Sequence, residues 1–159
     1  MSELAQAYTL ILVETPAGIL LINRKKPPYR GLWNALGGKI EPDETPKAGA
    51  QRELVEESGL TLTAAKLQAN GVVHWYVDGQ FRADLYLFSG TTTQTGAWPL
   101  MTREGLLAAV DREWLTAPDN LGIVADLKAL LPRWLAGEQH AYRSDFTGTK
   151  FESLVIADD

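Results

Sequence analysis

The sequence contains no cysteine. Disulfides, thiolate nucleophiles and cysteine-based metal sites are therefore excluded. Only two histidines occur, and His74, alone in an extended stretch, reads as a structural residue rather than a catalytic one. Basic charge is not in excess. Fifteen Lys and Arg face 20 Asp and Glu, for a formal net charge of −5, so there is no basic footprint for duplex nucleic acid. No apolar run approaches the length of a membrane span. The first residues show neither a basic n-region nor a long apolar stretch. The expectation is a cytoplasmic protein without a membrane partner. No repeat, low-complexity tract or linker interrupts the 159 residues, and 45% hydrophobic content is that of a folded core. A single domain over residues 1–159 is expected.

Acidic charge, by contrast, is concentrated in one place. Residues 38–60 read GKIEPDETPKAGAQRELVEESGL. The pattern predicts a helix over 46–58. Thr45 suits the N-cap, and Pro46 suits the first helical position, where its missing N–H is not needed. Gly59 suits the left-handed residue that ends a helix. At 3.6 residues per turn, Glu53, Glu56 and Glu57 share one face. Ala50 and Leu54 lie beside that face and can pack on the core. Like charges at these spacings destabilise a helix by about 0.2–0.5 kcal/mol per pair. The helix dipole also disfavours anions near the C-terminal end. Only Arg52 lies beside the cluster to offset the charge, with Glu56 at i+4. A divalent cation resolves the conflict. Oxygen-only ligands point to a hard ion, Mg²⁺ or Mn²⁺, rather than zinc. The plainer alternative is a solvated acidic helix face.

This stretch resembles, at every fixed position, the signature of the Nudix hydrolases: Gly38, Glu44, Arg52, Glu53, Leu54, Glu56, Glu57, Gly59 and Leu60. The resemblance implies Mg²⁺-dependent cleavage of a nucleoside diphosphate linked to another group. It implies a metal held by Glu53, Glu56, Glu57 and the Gly38 carbonyl. It also implies a carboxylate that takes the proton of the attacking water, with Glu53, Glu56 and Glu104 as candidates. Arg52 orients the carboxylates, and Glu44 supports the loop and helix.

Along the chain, Tyr8–Val13 and Ile19–Asn23 read as the strands of an early hairpin around Thr15-Pro16-Ala17-Gly18. Arg24, Lys25, Lys26 and Arg30, with Pro27-Pro28 among them, make a basic loop able to screen a polyphosphate. Leu32–Leu36 is short and apolar. Gly37-Gly38 then allows close approach of backbone to a metal or phosphate. Ala64–Tyr76 is extended. Asp78-Gly79 turns His74-Trp75-Tyr76 back onto a strand over 81–89 that is apolar on both faces and therefore central. Glu104–Val110, leading to Glu113-Trp114-Leu115, is similar to the family's last core strand, with Glu104 on the loop before it. Asp119-Asn120 is expected to cap a second helix carrying Leu121, Val124, Leu127, Leu131 and Leu135, kinked or ended by Pro132. The tail reads as two strands around Thr147-Gly148-Thr149. The fold class is α/β, a mixed sheet between helices, which the resemblance sharpens to the Nudix α/β/α sandwich.

Beyond the acidic stretch, Tyr8-Thr9-Leu10, Leu32-Trp33-Asn34 before Gly37-Gly38-Lys39, and the terminal hairpin resemble the MutT-like oxidised-purine nucleoside triphosphatases. The resemblance implies that Asn34 hydrogen-bonds a purine, that Thr9 lines the base pocket, and that an acidic pair near the second helix reads the base edge. Asp119 and Asn120 are similar to that pair, with Asn in place of the second Asp; Asp126 is a rival match. The substrate-binding set is thus Thr9, Lys25, Asn34, Lys39, Asp119 and Asn120. Aromatic faces for stacking are offered by Trp33, Trp75, Tyr76, Phe81 and Tyr86, although such residues are more often core. The expected reaction converts a nucleoside triphosphate, 8-oxo-dGTP or a related oxidised purine nucleotide, to the monophosphate and pyrophosphate. Alternatives are ADP-ribose, a sugar nucleotide, a dinucleoside polyphosphate (Tyr76 being the weak pointer) or an ordinary dNTP as substrate, and a non-catalytic module that senses a nucleotide.

Overall fold

The computed structural model describes residues 6–25 and 30–158. Lys26 and Pro27-Pro28 of the basic loop lie outside the described residues. Strands β1 (Gln6–Thr15) and β2 (Gly18–Arg24) form the expected hairpin. Thr15 Oγ1 closes its turn, accepting the Ala17 N–H at 3.1 Å and donating to the Gly18 carbonyl at 2.9 Å. A two-residue strand β3 (Trp33–Asn34) pairs with β2. Isolated bridges from Leu36 to Ile11 and from Lys39 to Tyr8 then lay residues 36–39 along β1.

Helix α1 (Pro46–Ser58) follows, with the boundaries that its sequence predicts. Thr45 Oγ1 accepts the Ala48 N–H at 3.1 Å. Gly59 takes φ +78°, a conformation that carries no side-chain penalty only in glycine. A 3-10 turn (Ala64–Lys66) leads into β4 (Gln68–Val77), which Asp78-Gly79 turns back into β5 (Gln80–Thr91). Strands β6 (Leu100–Met101) and β7 (Gly105–Val110), helices α2 (Arg112–Thr116) and α3 (Ala125–Leu135), and the hairpin of β8 (His140–Thr147) with β9 (Lys150–Ile156) complete the chain.

Among the described residues the nine strands form one sheet, in the order β6-β7-β2-β1-β5-β4-β8-β9 with β3 branching from β2. β1 and β5 pair parallel, as do β4 and β8; the other pairs are antiparallel. The sheet is mixed and covered on both faces. Period-two alternation sends Ile11, Val13, Leu20 and Ile22 towards α1, where they pack with Ala50, Leu54 and Phe88. Leu12, Ile19, Leu21 and Leu87 face the opposite way, onto Leu127, Leu130, Leu131 and Trp134 of α3. This is why β1 and β2 read as continuous apolar runs. None of the helices in the described residues is long and apolar enough to cross a membrane.

Three expectations near the second helix are corrected. Glu113-Trp114-Leu115 belongs to a short helix, α2, not to a strand. Helix α3 starts at Ala125 with Val124 at its N-cap, not at Asp119-Asn120. Residues 122–124 are instead held extended against β3. The Trp33 N–H donates to the Gly122 carbonyl at 2.7 Å, and the Val124 N–H donates to the Trp33 carbonyl at 3.0 Å. Leu121 consequently lies outside the helix and is 85% exposed. Pro132 does not end α3, which runs on to Leu135. It falls in the last turn, so little of the backbone ladder remains to be broken.

Leu54, fully buried, fastens α1 to the sheet. Leu54→Ala is expected to lower stability by about 2–5 kcal/mol, read as a lower midpoint in urea denaturation with an unchanged slope.

Candidate functional site

Arg52 is the junction of the acidic stretch. Its Nε donates to Glu44 Oε2 at 2.7 Å and its Nη2 to Glu44 Oε1 at 2.9 Å, a two-pronged pair that ties α1 to the loop before it. Nη2 also donates to the Lys39 carbonyl at 3.0 Å. Nη1 donates to Glu53 Oε1 at 3.0 Å and to Glu56 Oε2 at 3.2 Å. Glu44 Oε1 accepts the Glu41 N–H at 3.0 Å as well. The Arg52 guanidinium, aided by that N–H, holds the Glu44 carboxyl at about 2, from an ordinary 4.5. Glu44, first of all, drives the Arg52 pKa upward in turn.

The loop presses directly on the carboxylates. A Cβ on Gly38 would stand 2.4 Å from Glu53 Oε1. Gly37 takes φ +148°, and a Cβ there would strike the Thr9 carbonyl at 1.9 Å. Only glycine therefore allows this approach. The Gly37 N–H donates to Glu57 Oε2 at 3.4 Å. Glu57 is pushed up to about 8, first by burial, then by the negative charge of Glu53. A hydrogen bond shared with Glu53 and the charge of Glu104 add to the shift, and the Gly37 N–H opposes it. Like charges forced together in a dry place retain a proton unless a cation replaces it.

A cavity of about 620 Å³ opens at this point. Glu53, Glu57, Gly37, Gly38, Lys39, Arg24 and Glu104 line it, as do Thr9, Asn34, Trp75, Leu85 and Asp126. It runs from the α1 side of the sheet to the α3 side. The oxygen-only donor set fits a hard divalent cation. Among the described residues no three acidic or imidazole side chains are gathered as a ready cage. Mg²⁺ does not require one, since it commonly takes one or two carboxylates and completes its shell with water and substrate phosphate.

The NUDIX domain profile matches residues 4–135. The chain belongs to the Nudix family. Members of this family generally use divalent metal ions. The Nudix chain is 35% identical over 96 residues to the oxidized purine nucleoside triphosphate hydrolase of Mus musculus, a match covering 57% of this chain and 61% of the mouse protein. It is 38% identical over 60 residues to the CTP pyrophosphohydrolase of Escherichia coli, covering 37% of this chain and 44% of that protein. The matches span less than two thirds of either relative. A MutT protein of Bacillus halodurans superposes with a TM-score of 0.73 at 24% identity, over 94% of this chain and 95% of its own, and so has the same fold.

Within this Nudix site the expected residues divide. Thr9, Asn34, Gly38, Lys39, Glu53, Glu57 and Glu104 line the cavity. Glu56 does not. Its side chain is 57% exposed, against 14% for Glu53, and its carboxylate is turned to Arg52. The Gly38 carbonyl accepts the Thr9 N–H at 2.8 Å, which leaves its second lone pair. The peptide that meets Glu57 is that of Gly37. Lys25 is exposed outside the cavity lining, its backbone N–H donating to the Glu104 carbonyl at 3.2 Å. Asp119 is exposed. Asn120 spends both ends of its amide on its own loop, donating to the Trp114 carbonyl and accepting the Gly122 N–H, each at 2.9 Å. Asp126, the rival match, lines the cavity instead, because the pairing of residues 122–124 with Trp33 sets the start of α3 beside Asn34. Tyr76 packs against Phe81 and under the Arg143 guanidinium, 3.8 Å from its ring. Among the cavity residues, Arg24, Leu85 and Gly37 stand out less in the sequence. The glycine pair was the signal for Gly37, but which of its two peptides faces the carboxylates depends on the bridges to β1.

The lowered Glu44 pKa has a definite consequence for stability. A carboxyl whose folded-state pKa is depressed stabilises the fold above its unfolded value and loses that effect as pH falls through the folded one. Glu44→Gln is therefore expected to destabilise the protein fully above about pH 4.5, with the difference closing as pH drops towards 2. Urea midpoints of the two proteins across that range provide the check.

Proposed function

We propose that this chain is a nucleoside triphosphate pyrophosphohydrolase that works with Mg²⁺ and accepts oxidised purine nucleotides such as 8-oxo-dGTP. The reading rests on one cavity lined both by carboxylates, Glu53, Glu57 and Glu104, and by the polar and aromatic side chains of Asn34, Trp75 and Asp126. The mouse relative, by its name, acts on oxidised purine nucleoside triphosphates. The E. coli relative keeps CTP on the panel of candidates.

Glu53 and Glu57 would hold the cation, with the Gly37 peptide and Glu104 beside them. When bound, the ion neutralises the polyphosphate and makes neighbouring water more acidic. Arg52 locks Glu53 in place through its bond to Glu44 and keeps Glu56 outside. Lys39 and Arg24 bring positive charge to the phosphates. Glu53 or Glu104 accepts the proton of the attacking water. A bond forms from the water oxygen to a bridging phosphoryl group, the bond to the leaving pyrophosphate breaks, and nucleoside monophosphate remains. Asn34 uses its Oδ1 to accept the Ala35 N–H at 2.8 Å, which leaves its amide N–H groups for the base. Asp126 supplies the complementary acceptor.

Pyrophosphate release with Mg²⁺, measured on 8-oxo-dGTP, dGTP, CTP, ADP-ribose and diadenosine polyphosphates, tests the reading. Turnover of triphosphates is expected, and EDTA should abolish it. Tight nucleotide binding with no product from any of them would favour a sensing module instead. Glu57→Gln should cut turnover by about 10²-fold or more while circular dichroism stays unchanged.

Burial holds Asp126 up at about 6, above its ordinary 3.8, against the opposing Leu127 N–H. Above that pH both of its oxygens accept from the base; below it one becomes an O–H donor, which no longer matches a base N–H. The kcat/KM profile for the preferred purine nucleotide should therefore fall below about pH 6. Asp126→Asn should remove that limb and change the order of preference among bases.

A further inference from the structure

The turn between β6 and β7 carries Glu104, one of the carboxylates that line the cavity. It is held differently from the others. Glu53 is tied to Arg52, and Glu57 accepts the Gly37 N–H. Among the described residues no hydrogen bond or ion pair fixes the Glu104 carboxylate, so its backbone sets where it stands. Thr102 holds that backbone. Its Oγ1 accepts the Glu104 N–H and the Gly105 N–H, each at 3.2 Å, and donates to the Gly105 carbonyl at 2.8 Å. One hydroxyl thus spends its donor and both lone pairs on a single turn. The Thr102 N–H donates to the same Gly105 carbonyl at 2.8 Å. From the other side, the Lys25 N–H donates to the Glu104 carbonyl at 3.2 Å. A Cβ on Gly105 would stand 1.9 Å from the Asn23 carbonyl, so the turn is pressed onto the end of β2. β6 itself buries little. It is two residues long at the edge of the sheet, and Leu100 and Met101 are both exposed. Its pairing with β7 brings Thr102 back over the turn.

Resting on the nucleotide reading above, we propose that Thr102 is a positioning residue, whose hydroxyl fixes the Glu104 backbone so that the Glu104 carboxylate stays at the cavity where cation and polyphosphate meet. Glu104 is exposed, and a loosened turn would let it leave the cavity for solvent. Both roles open to Glu104, beside the ion or as acceptor of the proton of the attacking water, require it at the cavity. In both, its negative charge helps to draw a divalent cation in. Cation affinity therefore reports where the carboxylate stands, independently of turnover.

The test compares wild type with Thr102→Val, Thr102→Ser, Glu104→Gln and the double variant of Thr102→Val with Glu104→Gln. Two quantities are read: binding of Mn²⁺ alone, from the electron paramagnetic resonance signal of the free ion, and pyrophosphate release from the preferred triphosphate. Thr102→Val should weaken Mn²⁺ binding and lower kcat, each by about tenfold, the usual effect of losing a group that orients a metal-site residue, with a smaller change in KM. Thr102→Ser keeps the hydroxyl and should restore both. In the Glu104→Gln background Thr102→Val should cost little more, because residues that act through one another are not additive. A folded Thr102→Val protein with wild-type Mn²⁺ affinity and kcat overturns the proposal. So does a Thr102→Ser protein as impaired as Thr102→Val, or a full further loss in the double variant, which marks a merely structural turn. If Thr102→Val does not fold, hydrogen exchange on the wild-type protein keeps the test open: a Glu104 N–H as unprotected as in an unstructured chain overturns the proposal. A wild-type protein that neither binds Mn²⁺ nor releases pyrophosphate defeats the nucleotide reading and the role of Thr102 with it, whereas an active wild type matched by Thr102→Val defeats the role of Thr102 alone.

Discussion

The site depends on the ion pair between Arg52 and Glu44. Negative charge is packed on one end of α1, and the glycine loop presses against it. Without a cation on the same helix, Glu53 and Glu56 would repel each other and the loop carbonyls alike. Arg52 takes up that charge with three nitrogens on four partners: Glu44, Glu53, Glu56 and the Lys39 carbonyl. Two parallel bonds to Glu44 fix the plane of the guanidinium, which a lysine could not do. The arrangement is selective. It reaches Glu53 and Glu56 but not Glu57, which takes a full negative charge only at high pH or with help from outside.

The sheet makes this local arrangement useful. Because β1 and β2 bury both faces, α1 and α3 can sit on opposite sides of the same strands. The segment 36–39 runs along β1 between them, so Gly37 and Gly38 meet the carboxylates while Asn34 meets the start of α3. A cavity at this edge has an acidic region from one layer and a hydrogen-bonding recess from the other. Such a division suits a ligand that is itself divided, with phosphates at one end and a planar base at the other.

Legibility in the sequence followed the range of the interactions. Helix α1 is described to the residue by Thr45, Pro46 and Gly59, since caps are set by neighbours within a few positions. The early hairpin, the Asp78-Gly79 turn and the central place of β5 were equally readable. Around α3 the local signals point to the wrong start. Asn120 is a good cap by type, but a long-range pairing with Trp33 held residues 122–124 extended and moved the helix start to Ala125. That pairing joins segments about ninety residues apart, which no local pattern records.

The sequence alone determined that three glutamates would share a helix face, that an arginine would stand beside them, and that two glycines would bring backbone near. Periodicity and side-chain type suffice for such statements. Only the tertiary structure decided how these groups divide. Arg52 has a limited number of N–H donors, so Glu56 is drawn outward while Glu57 is left in the cavity. The Gly38 carbonyl accepts the Thr9 N–H of β1, and the Gly37 N–H donates to Glu57. Asp126, not Asp119 or Asn120, lines the cavity. Each outcome is a competition for partners supplied by distant segments, and folding settles it by where those segments meet.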